Sequence, residues 1–169
     1  MTVYTALESP LGLLLLTGDG AALTGLYMTG HRHGPAIAAS WRRDDDAPPF
    51  AAARSQLAAY FAGERRVFDL PLQPSGTPFQ QAVWRALAQI AFGETLSYGE
   101  LARRLGKPDA ARAVGLANGR NPLSIVVPCH RVVGASVALT GYGGGMDRKA
   151  WLLAHERGTA PSGQLKFTL

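Results

Sequence analysis

The chain contains a single cysteine, Cys129, within Ile125-Val126-Val127-Pro128-Cys129-His130-Arg131-Val132-Val133. β-Branched apolar residues lead in and out, which predicts a buried extended strand broken at Pro128, a residue without an N–H and with φ fixed. A lone thiol beside a histidine and an arginine suits nucleophilic chemistry, because the thiolate is the reactive form and nearby positive charge favours it. The competing reading is a buried cysteine that only fills space. Neighbours on a strand face opposite ways, so His130 is expected to reach the sulfur through a water rather than directly.

The elements around this stretch come from 169 residues, room for one domain or two small ones, with 47% hydrophobic content to build a core. Leu13-Leu14-Leu15-Leu16, the longest early aliphatic run, is too short to span a membrane, and no basic segment precedes it, so neither a membrane span nor a signal peptide is expected. One cysteine cannot form an internal disulfide; a free thiol suits the reducing cytoplasm. His31 and His33 read as solvated loop residues, and with one cysteine they make no zinc set. Neither metal nor cofactor is expected. Residues 1–76 hold six basic and seven acidic side chains, whereas residues 77–169 hold eleven and five. Positive charge confined to the second half points to a polyanion, against the plainer reading of a solubilising surface.

Residues 2–7, 11–17 and 21–28 read as an antiparallel meander punctuated by Ser9-Pro10 and Gly18-Asp19-Gly20. Residues 31–49 are loop-like. Phe50, Leu57 and Phe61 predict a helix over 50–61, stopped by Gly63. A strand running into a Pro/Gly linker occupies 67–76, where the boundary between two domains (1–76 and 77–169) is placed. Thr77-Pro78-Phe79-Gln80 starts a helix with a capping box. Phe79, Val83, Leu87 and Ile90 form its stripe, and Gly93 ends it. Ser97-Tyr98-Gly99-Glu100 starts a second helix. Asp109 is expected to cap a third, with Ala110, Ala113, Val114 and Ala117 inward and Arg112 on the opposite side. Two helices about a tight turn are a helix-turn-helix candidate, or an ordinary αα-hairpin. The third helix is rich in alanine and glycine, which permits close backbone approach to a neighbouring helix or to the floor of a DNA groove. A short hairpin to Leu139 and a glycine-rich loop over 140–145 follow; without Gly-Lys-Ser/Thr the loop is no P-loop. Asp147 is expected to cap a last helix, 148–157, with Trp151, Leu152 and His155 inward.

Ser97-Tyr98, Ala111-Arg112-Ala113-Val114-Gly115, Asn121-Pro122, Pro128-Cys129-His130-Arg131-Val132, Gly141-Tyr142 and Trp151-Leu152-Leu153-Ala154-His155-Glu156 occur in the order seen in the O6-alkylguanine-DNA alkyltransferases. From about Thr77 to Glu156 the chain resembles that family; the first half matches only in plan. The resemblance implies an α+β protein: a small N-terminal antiparallel-sheet, RNase-H-like domain and a C-terminal helix-turn-helix, winged-helix-like domain. It implies DNA repair by irreversible, single-turnover transfer of an alkyl group from O6-alkylguanine in double-stranded DNA to Cys129, with base flipping through the minor groove. His130 then takes the thiol proton through a water, and Glu156 orients His130. Asn121 braces the helix-turn-helix against the active-site strand. Tyr98 lies at the flipped nucleotide, Arg112 fills the gap in the duplex, and Arg131 joins the DNA-contacting set. The carbonyls of Cys129 and Val132 read the guanine amine, while Tyr142 and the Gly143 N–H line the pocket near O6. Some relatives carry a small hydroxyl or methyl residue at Gly143, so a side-chain contact is lost here. Others bind zinc through first-half cysteines, which this chain lacks. A monomer is expected, with clustering along DNA left open. Two other readings compete: a lesion-sensing DNA-binding module without transfer, which relatives lacking the cysteine represent, and a Cys-His hydrolase, which needs an oxyanion hole and a deacylating water.

Overall fold

Alternating side chains build the first layer. The computed structural model, which describes residues 1–134 and 145–159, places strands at Val3–Leu7 (β1), Leu14–Gly18 (β2) and Leu23–Met28 (β3), close to the predicted three. Both pairings are antiparallel, with Val3 opposite Gly18 and Leu14 opposite Met28. Val3, Leu14, Leu16, Leu23, Leu26 and Met28 are buried. Arg42–Arg43 (β4), inside the stretch read as loop, pairs parallel to β1 and completes the order β3-β2-β1-β4. Helix α1 spans Phe50–Phe61, as expected. Its inward stripe is Phe50, Ala53, Leu57 and Tyr60, so Tyr60 takes the buried position expected of Phe61.

Local capping decides where the next helices begin. Thr77 accepts from the Gln80 N–H while Gln80 accepts from that of Thr77, and α2 runs Pro78–Leu87. The helix stops before the expected Gly93, and Ile90 is buried in the turn beyond it. Leu96–Ser97 (β5) leads into α3, Tyr98–Arg104, through the Ser97/Glu100 capping box. Helix α4 is Ala111–Gly119, and Asp109 does not cap it. A turn closed by the Ala110 N–H on the Lys107 carbonyl carries the chain past Asp109 and leaves Ala110 at the cap position without a side-chain bond. Helix α5, Met146–Glu156, instead begins earlier than expected: Gly145 holds the cap position, and Asp147 sits in the first turn, where its charge still favours the helix dipole.

The edge of β3 joins the two halves. The Leu23 N–H reaches the Pro71 carbonyl at 2.8 Å and the Leu26 N–H reaches that of Pro122 at 2.8 Å. The 67–76 segment is therefore not a full strand but a single bridge, Leu23 to Leu72. Covering an edge in this way satisfies groups that would otherwise recruit another chain.

The stretch around Cys129 differs most from expectation. It is not an extended strand: Ile125 has φ 72°, Cys129–Arg131 form one 3₁₀ turn, and only Val132–Val133 (β6) are extended, parallel to β5. A β-branched residue at left-handed φ is strained and persists only where its surroundings hold it; Ile125 is buried in the core. On a 3₁₀ turn successive side chains diverge by about 120° rather than alternating, so His130 and Arg131 both turn inward.

Candidate functional site

Helix α4 and the chain after it hold the cysteine segment by amide bonds. The Asn118 side-chain amide donates to the Cys129 carbonyl at 3.4 Å, and that of Asn121 donates to the Val127 carbonyl at 2.8 Å. Asn121 Oδ1 accepts from the Leu123 N–H at 3.0 Å, and the side chain also reaches the Cys129 thiol. Asn121 thus ties the chain just after α4 to the cysteine segment. Asn121→Ala should destabilise the fold by roughly 2–3 kcal/mol, since it strands a buried carbonyl and a buried N–H; urea unfolding with an unchanged midpoint would contradict this.

His130 is fully buried and its Nε2 lies 2.7 Å from Glu156 Oε2. A carboxylate only accepts, so Nε2 carries the hydrogen and Nδ1 presents a lone pair. Nδ1 has no partner among the described residues. Burial lowers the imidazole pKa and outweighs the opposing pull of Glu156, so the ring is a neutral base. For Glu156, burial would raise the carboxyl, but hydrogen bonds from His130 and Arg131 win and hold it well below the usual carboxylate range. The Tyr60 hydroxyl donates to Oε2 at 2.7 Å, and the Gly93 N–H donates to Oε1 at 3.3 Å.

Three sequence expectations change here. Cys129 is 4% exposed, and burial pushes its thiol pKa up despite Asn121 and Lys149, so positive neighbours do not leave a resting thiolate. Arg131 is buried, not set toward DNA: its Nε meets Glu156 Oε1 at 2.7 Å, and its other nitrogens meet Glu156 Oε2 and the Ile90 carbonyl. The Val132 carbonyl accepts from Lys149 Nζ at 2.6 Å, and the Cys129 carbonyl from Asn118 and the Val132 N–H, so both are already engaged.

Lys149 was not singled out by the sequence reading. It is fully buried, its pKa is lowered by burial to about 8, and it interacts electrostatically with Cys129. Its spacing to Leu152, Leu153 and Glu156 on α5 already put it on the inner stripe. Tyr60 was missed too, although it lies three and seven residues after Leu57 and Ala53.

The remaining residues fall on the outer side. Arg112 is exposed on α4 in line with Ala113, Leu116 and Arg120. Ala113 therefore faces out with Arg112, not into the core. Tyr98, half-buried at the start of α3, lies against Gly115, so part of the small-residue character of α4 serves helix packing. Tyr142, Gly143 and the hairpin to Leu139 lie outside the described residues. Among the described residues no group of three or more His, Cys, Asp or Glu could hold a metal, and no helix is long and apolar enough to cross a membrane.

Comparison with known proteins finds two family models: "6-O-methylguanine DNA methyltransferase, ribonuclease-like domain" over residues 2–74 and "6-O-methylguanine DNA methyltransferase, DNA binding domain" over residues 78–158. The chain is 53% identical to the methylated-DNA–protein-cysteine methyltransferase of Mycolicibacterium paratuberculosis, across 99% of each. It is 48% identical to that of Methanosarcina acetivorans, across 90% of this chain and 97% of the relative. Among solved structures it matches Mycobacterium tuberculosis OGT in complex with DNA, with TM-score 0.87 and 52% identity over 95% of this chain and 96% of that one.

Proposed function

Since the chain belongs to the 6-O-methylguanine DNA methyltransferase family and is by class a methylated-DNA–protein-cysteine methyltransferase of DNA repair, we propose that the Cys129 sulfur takes the alkyl group from O6-alkylguanine in duplex DNA, once per molecule. The observation that carries this is the neutral, buried His130, tied through Nε2 to Glu156 with Nδ1 unpartnered among the described residues, directly beside the only cysteine. Because burial keeps the thiol protonated at rest, a base is needed at the moment of attack. His130 Nδ1 accepts the thiol proton through a water, the sulfur bonds to the alkyl carbon, and the carbon–O6 bond breaks with its electron pair passing to guanine. Glu156 stabilises the imidazolium that results. Lys149 supplies positive charge near the nascent thiolate.

The atom attacked lies inside the duplex, so the base is extruded. Arg112, on the outward face beside small Ala113, enters the minor groove and occupies the gap. Tyr98 flanks the extruded nucleotide. The Val132 carbonyl has a second lone pair with which to meet the guanine amine. Residues 1–76 and 77–169 act as the two domains of a monomer that needs neither metal nor cofactor. The product is a thioether, and among the described residues no second nucleophile is placed to break it. Incubation with a duplex containing O6-methylguanine, followed by intact-protein mass and peptide mapping, should give one added methyl at Cys129. Methyl transferred in excess of protein, or no mass gain, would overturn the proposal.

A further inference from the structure

Helix α1 lies in the first half of the chain, yet its Tyr60 touches the carboxylate that orients the base of the second half. We propose that Tyr60 is a positioning residue for alkyl transfer, its phenol setting how strongly Glu156 holds the His130 imidazole. The rate measurement below rests on the transfer reading above; the titration does not. The Tyr60 hydroxyl donates to Glu156 Oε2 at 2.7 Å, the same oxygen that accepts His130 Nε2–H at 2.7 Å. The phenol is fixed in place: Tyr60 is fully buried, its backbone carbonyl accepts from the His155 ring at 2.7 Å, and Phe61, Phe68 and Phe92 surround its ring at 5.3, 5.4 and 6.0 Å between centroids.

Oε2 accepts three donors, the Tyr60 hydroxyl, His130 Nε2–H and an Arg131 guanidinium nitrogen at 3.0 Å, and they compete for its charge. The phenol withdraws negative charge from Oε2, so an imidazolium at His130 is stabilised less than it would be were the hydroxyl absent. A lower pKa keeps His130 neutral and ready to accept the thiol proton over a wider range of pH. The other charged or titratable groups facing this pair are Arg131 from the 3₁₀ turn, Lys149 and His155 from α5, and the Cys129 thiol itself. None of them supplies a neutral donor to Oε2. The N-terminal half therefore does more than prop up the site; it tunes the base.

Tyr60→Phe in the full-length protein removes only the hydroxyl. Titration of ¹⁵N-labelled histidine by NMR should show the His130 pKa raised by about one unit. The acid limb of the pH–rate profile for transfer from O6-methylguanine duplex should move up with it, leaving transfer several-fold slower below neutral pH and little changed on the alkaline plateau. Incorporating 3-fluorotyrosine strengthens the phenol as a donor and should shift the His130 pKa the other way, which keeps the test decisive if the Phe variant is too unstable. A role confined to packing would lower the unfolding midpoint and leave the titration unmoved; an unmoved titration overturns the proposal. If the wild-type protein gains no methyl, the transfer reading fails, and the titration alone judges Tyr60.

Discussion

Glu156→Ala is expected to destabilise the protein by roughly 3–5 kcal/mol, the usual cost of removing one partner from a buried charge pair. The alanine leaves the Arg131 guanidinium buried with the Ile90 carbonyl as its one hydrogen-bond acceptor among the described residues, and removes the carboxylate that the Tyr60 hydroxyl, the Gly93 N–H and His130 Nε2–H share. That is a large part of the roughly 5–15 kcal/mol that holds a typical domain together. Glu156→Gln keeps the shape and one acceptor oxygen but not the charge, so it should fall between alanine and wild type. Urea unfolding of the two variants checks the order; a Gln variant as stable as wild type would show that the charge is unimportant.

The same network sets an acid limit. Both His130 and Glu156 have folded pKa values below their ordinary ones of 6.5 and 4.5. A group whose folded pKa is depressed contributes stability that is present above the ordinary value and lost as pH falls through the folded one. Wild-type stability should thus decline first as pH drops below about 6.5, as unfolded His130 gains its proton, and again below about 4.5, as unfolded Glu156 gains its own. Glu156→Gln should shrink the second decline to the part that Asp19, Asp45 and Glu100, whose carboxyls are also lowered by hydrogen bonds, contribute. A wild-type unfolding free energy that stays flat from pH 7 to 4 would contradict the assignment.

Arg112→Ala should do the reverse: large in function, negligible in stability. Arg112 is exposed on α4 and forms no hydrogen bond or ion pair among the described residues, so its removal should change unfolding by no more than about 0.5 kcal/mol. Extruding a base costs a few kcal/mol of unstacking and unpairing, and an inserted side chain offsets part of it. Losing about 2–3 kcal/mol of that compensation slows transfer from duplex DNA by roughly 100-fold. Single-stranded DNA has no stack to open, so its rate should fall far less. Equal losses on both substrates would mean that Arg112 acts through general DNA affinity rather than by filling the gap. The outward position of small Ala113 beside Arg112 leaves room next to the guanidinium stem, which favours insertion.

Much of this was legible because its causes are local. The capping boxes at Thr77 and Ser97 start α2 and α3 through side-chain bonds to N–H groups three residues on, and these need no tertiary partner. The β1–β3 meander follows from alternation and turn residues. The sole cysteine with His130 next to it was visible as residue types, but these left a space-filling reading open; the ordered motifs shared with the alkyltransferases named the transfer chemistry and brought in Glu156. The misplaced starts of α4 and α5 have local causes too: a turn at Lys107–Ala110 and a glycine at position 145 displaced the aspartates from the cap.

What the residue order determined was which side chains are candidates for nucleophile, base and carboxylate; what folding alone decided was their surroundings and charge state. A run of β-branched residues prefers to be extended, and only burial of Ile125 in the core holds the left-handed turn that brings His130 and Arg131 inward together. Positive residues beside a thiol suggest a thiolate, but removal from water penalises the charged form more than Lys149 and Asn121 can repay. Arg131 is adjacent to the site in sequence and was expected outside, while Tyr60 is 96 residues from Glu156 and bonds to it. Charge state and long-range contact depend on what surrounds each group in space, and a linear pattern carries that information only where neighbours in sequence are also neighbours in the fold.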